Sequence, residues 1–146
     1  MKVSRQFFLI YVVFNTFFAL LTQDEQVRCF QRAARHLTSD GVFLIEAFAP
    51  DPRRFDRGQR VGALDVETDH GQFEVTQHGP TNQSIRSAHV EVSESGVHLY
   101  PLRLRYAFPG ELDLMARLAG LRLHTRCGGW NREPFAASSP FSCVSI

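Results

Sequence analysis

The sequence predicts an α/β fold that carries an inserted antiparallel β-sheet. Three observations lead there. An apolar run, Phe7 to Phe14, is followed by a capped helix and a second apolar run, Val42 to Phe48, with short connections between them. Between residues 61 and 106, apolar and polar residues alternate with a period of two. From Pro109 onward, helical spacing returns. Strand, helix and strand joined by short connections make a βαβ unit, with a parallel sheet and a right-handed crossover.

The first run, FFLIYVVF, is β-branched and aromatic without alternation. That is the pattern of a strand buried on both faces. Lys2 and Arg5 ahead of it also suggest a secretory signal. The sequence after Phe17-Phe18 is Ala19-Leu20-Leu21, which lacks a small-x-small cleavage site. Asn15 and Thr16 break the run, and Phe7 to Leu21 is short of the ~18 apolar residues that a membrane span requires. The buried strand is the preferred reading.

Thr22-Gln23-Asp24-Glu25 is a capping box. Val27, Phe30, Ala34 and Leu37 then form one helical face, and Asp40-Gly41 is expected to end the helix with Gly41 at its C-cap. In the second run only Glu46 is charged, and Pro50 and Pro52 stop it. Residues 53–60 are polar and loop-like.

In the insertion, Leu64 and Val66, then Phe73 and Val75, flank a turn at Asp69-His70-Gly71. Ala88, Val90 and Val92, then Tyr100, Leu102, Leu104 and Tyr106, flank a turn at Glu94-Ser95-Gly96. Pro109 suits a first helical position, with Leu112, Met115, Leu118 and Ala119 as the stripe and Gly120 as the stop. A strand is expected from Leu121 to Cys127. The organisation expected is residues 1–60 as α/β core, 61–106 as insertion, 107–135 as a return to the core, and 136–146 as an irregular tail.

Composition narrows the function. Sixteen basic against fifteen acidic residues leave a net charge of +1, so no bulk attraction to nucleic acid or an anionic membrane is expected. Cys29, Cys127 and Cys143 are odd in number and widely spaced, which fits thiols in a reducing compartment, the cytoplasm, better than a disulfide framework. There is no phosphate-cradling glycine loop and no G-x-S-x-G elbow. The six histidines have no metal-binding spacing and read as solvated or turn residues, so no metal is expected.

Two features remain. Phe14-Asn15-Thr16 ends the first strand, where open α/β sheets bind ligands. A plain strand-to-helix turn also favours Asn and Thr. Glu46 lies in an apolar strand, where a carboxylate must be paired. It either faces a ligand cleft, the preferred reading, or pairs with Arg53 or Arg54.

The ordered series of the strand ending FNT, the helix with VRCF, VFLIEAFAPD, the insertion, LRYAFPGELDLMARLAGL and GGWNREPF resembles the C-terminal half of a class I S-adenosylmethionine-dependent methyltransferase. The resemblance is to bacterial small-molecule enzymes with a β insertion, such as sugar-amine N-methyltransferases. It implies a partial Rossmann-like sheet, with residues 7–14 as the fourth strand and 42–48 as the fifth. It implies S-adenosylmethionine as cofactor and a small-molecule N or O acceptor. Val13, Phe14 and Asn15 would border the cofactor's methionine end. Glu46, Phe48 and Tyr106 would line the acceptor side, with no catalytic base assigned.

The family's glycine loop and ribose-holding acid have no counterpart in these residues, and the strand expected after GGWNREPF is not evident in AASSPFSCVSI. The resemblance therefore implies a truncated chain, a gene fragment or a misplaced start, inactive alone and prone to self-association through its first strand. The competing readings are a non-enzymatic binding module that uses the insertion and a secreted protein.

Overall fold

The structure is a computed structural model that describes residues 5–136 and 138–146. Lys2, part of the signal-like pattern, lies outside them. In chain order the elements are β1 (Phe7–Val12), α1 (Gln23–His36), β2 (Leu37–Phe48), β3 (Gln59–Val66), β4 (His70–Gly79), β5 (Ser84–Ser93), β6 (Gly96–Arg105), α2 (Pro109–Leu118), β7 (Thr125–Cys127) and β8 (Phe141–Ser145). They divide into two compact units, Asp51–Tyr106 and the segments on either side of it. No helix among the described residues is long and apolar enough to cross a membrane.

In the flanking unit, β1 pairs in parallel with β2 across α1, with Leu9 opposite Val42 and Val12 opposite Ile45. The expected βαβ unit forms. The capping box forms too. Thr22 Oγ1 accepts from the Glu25 N–H at 3.2 Å, and Glu25 Oε2 accepts from the Thr22 N–H at 3.0 Å. Thr22→Ala is expected to cost about 1 kcal/mol, read as a lower urea midpoint.

The helix ends earlier than the Asp-Gly signal indicates. His36 is its last residue, and Leu37 is already extended. Leu37 is buried and pairs with Phe7, so the chain passes directly from helix to strand. Gly41 is therefore a strand residue and not a cap. A Cβ there would stand 3.0 Å from the Phe7 carbonyl oxygen, so the absent side chain permits close approach to β1.

The buried line of α1 is Gln26, Phe30 and Ala33, half a step from the line expected. Gln26 is buried because its Nε2 donates to the Leu20 carbonyl at 3.1 Å. Phe30 meets Phe17 and Phe43 edge-on, with ring centres 5.5 and 5.4 Å away. In α2, Leu112, Met115 and Ala116 are buried, whereas Leu118 is exposed. Gly120 closes α2 in the left-handed region at φ 76°, and the Leu121 N–H returns to the Ala116 carbonyl at 2.9 Å.

The tail is the largest correction. It is not irregular: β8 pairs antiparallel with β2 on one side and β7 on the other, giving the sheet order β1-β2-β8-β7. Ser142, Val144 and Ile146 alternate into the core, and Val144 is fully buried. The strand expected from Leu121 is regular only over Thr125–Cys127, the stretch that β8 pairs with.

The burial expected for β1 does not occur either. β1 is the end strand of the sheet, and Phe8 and Tyr11 are 62% and 66% exposed. An unpaired edge bearing large apolar residues templates association. Phe8→Lys with Tyr11→Lys should shift the chain toward monomer in size-exclusion chromatography. An unmodified chain that is monomeric at tens of micromolar would show that the edge does not drive association.

In the central unit, β3 to β6 form an antiparallel sheet in sequence order. The turn into β6 is Glu94-Ser95, closed by Gly96 at φ 124°, a conformation open to glycine. Leu64 is an extra residue between Ala63 opposite Phe73 and Asp65 opposite Gln72, so β3 is bulged there.

Candidate functional site

β1 stops at Val12 and the chain turns through Val13, Phe14 and Asn15. Phe14 and Asn15 are both left-handed, at φ 56° and 60°. Asn tolerates this region, while a residue such as Phe pays roughly 1–2 kcal/mol for it. Two hydrogen bonds hold the turn. The Phe14 N–H donates to Glu46 Oε2 at 2.5 Å, and the Phe48 N–H donates to Asn15 Oδ1 at 2.6 Å.

The loop after β1 and the end of β2 thus clamp each other, each offering one side chain to the other's backbone. Below the clamp, the short helical turn Thr16–Ala19 buries Phe17 and Phe18, and the Phe18 ring stands edge-on to Phe48 at 5.0 Å. Phe14 is left 84% exposed.

Glu46 is tied to the loop that follows β1. It is 7% exposed, and its Oε2 accepts from the Phe14 amide. Arg53 instead pairs with Asp51 at 2.8 Å. A backbone amide satisfies a buried carboxylate oxygen and so lowers the cost of placing Glu46 in a strand.

Val13, Phe14, Asn15, Glu46 and Phe48 therefore meet at the carboxyl end of the β1–β2 pair. Tyr106 belongs to the other unit. It is buried there, its hydroxyl 2.8 Å from His78 Nε2, and His78 stacks on Phe55 with ring centres 4.4 Å apart. Burial pushes the Tyr106 hydroxyl above its ordinary value. His78 is thus a buried, partnered histidine, which the sequence did not distinguish from the other five.

A groove of about 840 Å³ runs along β1 beside α1, lined by Phe7, Leu9, Tyr11, Arg28, Cys29 and Phe43 among others. None of the six residues named from the sequence lines it. No group of three or more His, Cys, Asp or Glu side chains is placed to hold a metal among the described residues.

A mixed sheet with a crossover helix, a clamped loop at the strand ends and an inserted antiparallel sheet define a Rossmann-like class. The CcbJ methyltransferase from Streptomyces caelestis has the same architecture, with a TM-score of 0.93 and 35% identity over 99% of this chain and 59% of that one. The amino pentose methyltransferase CalS10 from Micromonospora echinaspora, solved with S-adenosylmethionine bound, shares the fold at a TM-score of 0.69 and 19% identity, over 99% of this chain and 60% of that one.

In sequence, the chain is 30% identical over 131 residues to the cypemycin N-terminal methyltransferase of a Streptomyces species, covering 86% of this chain and 51% of the relative. No family profile matches it. In sequence and fold alike, the chain is similar to S-adenosylmethionine-dependent methyltransferases. It spans about half the length of the curated relative it matches.

Proposed function

We propose that this chain forms the acceptor-side part of a bacterial, cytoplasmic methyltransferase that moves the methyl group of S-adenosylmethionine to an N or O atom of a small molecule. The observation that carries this reading is the reciprocal clamp, Phe14 on Glu46 and Phe48 on Asn15, at the carboxyl ends of two parallel strands. It holds a left-handed loop in place and presents an aromatic ring outward. Such a ring suits the positive sulfonium of the cofactor.

When bound, the cofactor supplies an electrophilic methyl on sulfur. Val13, Phe14 and Asn15 would border its methionine end, and Phe48 would stand toward the acceptor. Catalysis here is positioning: the acceptor atom is held in line with the methyl. Glu46 is a positioning residue, because the carboxylate that could serve as a base holds the Phe14 amide.

A chimera tests the reading. Residues 1–146 replace the matching part of the CcbJ methyltransferase, and binding of labelled S-adenosylmethionine is followed together with methyl transfer to a panel of amines, amino sugars and peptide N-termini. Saturable cofactor binding and transfer to at least one acceptor are expected, with Phe14→Ala lowering transfer about tenfold or more. A folded chimera without cofactor binding overturns the reading.

A further inference from the structure

Two of the cysteines stand face to face. Cys127 of β7 lies directly opposite Cys143 of β8, and Cys143 lies directly opposite Glu46 of β2. Directly opposite residues project to the same side of a sheet, so Glu46, Cys143 and Cys127 form one row across three strands.

The backbone pattern shows which kind of pair the cysteines make. Phe43 and Ile146 exchange both amide bonds, at 2.8 and 3.0 Å. Even-numbered residues of β8 therefore direct their backbone groups toward β2, and odd ones, Cys143 among them, toward β7. Beyond β7, the Gly128 N–H meets the Glu133 carbonyl at 2.7 Å beside the Cys127–Pro134 bridge. That pattern leaves the backbone groups of Cys127 facing β8.

Cys127 and Cys143 are thus a hydrogen-bonded antiparallel pair, a geometry with Cα atoms about 5.5 Å apart. Disulfides span about 4.4–6.8 Å between Cα atoms and about 3.5–4.5 Å between Cβ atoms, so closing this pair draws its Cβ atoms in from about 5.5 Å and leaves a strained, easily reduced bond. Both thiols are free and half-buried. The third, Cys29, lies on α1 and is not part of this row.

We propose that Cys127 and Cys143 are a thiol–disulfide site, closed by exchange with a small-molecule disulfide such as oxidised glutathione. The Cys127 sulfur attacks one sulfur of the oxidant, whose S–S bond breaks and releases one thiol. The Cys143 sulfur then attacks the Cys127 sulfur of the mixed disulfide and releases the second. Two protein S–H bonds and one S–S bond are lost. One protein S–S bond forms, and the two protons leave on the two released thiols.

The order follows from position. β7 is the end strand of the sheet, whereas Cys143 sits on an interior strand where burial, with Cys127 and Glu46 alongside, pushes its thiol up. In a reducing cytoplasm such a bond is transient and records oxidation. Closing it ties β7 to β8 beside the strand that carries Glu46.

The full chain is equilibrated with mixtures of reduced and oxidised glutathione, quenched with acid and mapped by mass spectrometry. A Cys127–Cys143 cross-link with Cys29 left as thiol is expected. The effective concentration of the pair should be at least tenfold higher in the folded chain than in the same chain in urea, because the fold holds the sulfurs together. Cys127→Ser and Cys143→Ser should each abolish the cross-link, and Cys29→Ser should leave it unchanged. Glutathione adducts on Cys127 and Cys143 without a cross-link would overturn the proposal. So would an effective concentration no higher in the folded chain than in urea.

Discussion

Replacing Asn15 with alanine should destabilise the unit that contains β1 and β2 by about 2–5 kcal/mol. Two costs add. The Phe48 N–H loses its acceptor at 2.6 Å, and a part-buried amide left unpaired costs about 1–3 kcal/mol. Alanine must also enter the left-handed region that Asn15 occupies at φ 60°, at about 1–2 kcal/mol. The series separates the two. Asn15→Gly removes the acceptor but accepts the backbone, so about half the loss is expected. Asn15→Asp keeps both an acceptor and a tolerant backbone, so most of the stability should remain. Urea titrations followed by far-UV circular dichroism measure all three. Equal losses for Ala and Gly would show that the conformation contributes nothing, and no loss for either would dismantle the clamp. In the chimera, Asn15→Ala should also weaken cofactor binding, because the Phe14 turn is held from both sides.

Local chemistry made much of the fold legible. The Thr22–Glu25 box, the period-two alternation from Val61 to Tyr106 and the two apolar runs each carry their own signal within a few residues. Non-local pairing decided the rest. β8 is short and has Ser at both 142 and 145, so its strand character comes from having β2 and β7 on either side. The alternation of Val144 and Ile146 after Pro140 was the available hint. Gly41 followed a helical pattern and an Asp, the usual stop signal, but pairing of Leu37 with Phe7 claimed that segment for the sheet.

At the site, sequence position brought attention to Asn15 and Glu46 for sound reasons, a polar break in an apolar run and a charge in a buried strand. Their partners were hidden, because both are backbone amides 32 and 33 residues away. A backbone amide leaves no mark on a sequence. The two arginines nearest Glu46 in sequence attracted the pairing instead, and Arg53 is held by Asp51.

The 146-residue chain alone should bind S-adenosylmethionine at least 100-fold more weakly than the chimera does, with no saturable binding below about 1 mM. Ordering a flexible cofactor costs the same translational and rotational freedom whether the pocket is whole or partial, and only the surplus of contacts appears as affinity. The chain offers the turn at Val13, Phe14 and Asn15, but the side chain of Asn15 is already spent on the Phe48 amide and the Glu46 carboxylate on the Phe14 amide. Of the polar groups at this turn, few remain to hold the ribose or the amino acid end, and the sequence contains no glycine loop to supply backbone donors. A 100-fold deficit corresponds to about 2.7 kcal/mol, the equivalent of two or three ordinary hydrogen bonds. Isothermal calorimetry of the pure chain beside the chimera decides it. Micromolar, one-to-one binding by the chain alone would mean that these residues build a complete cofactor site by a route other than the clamped turn.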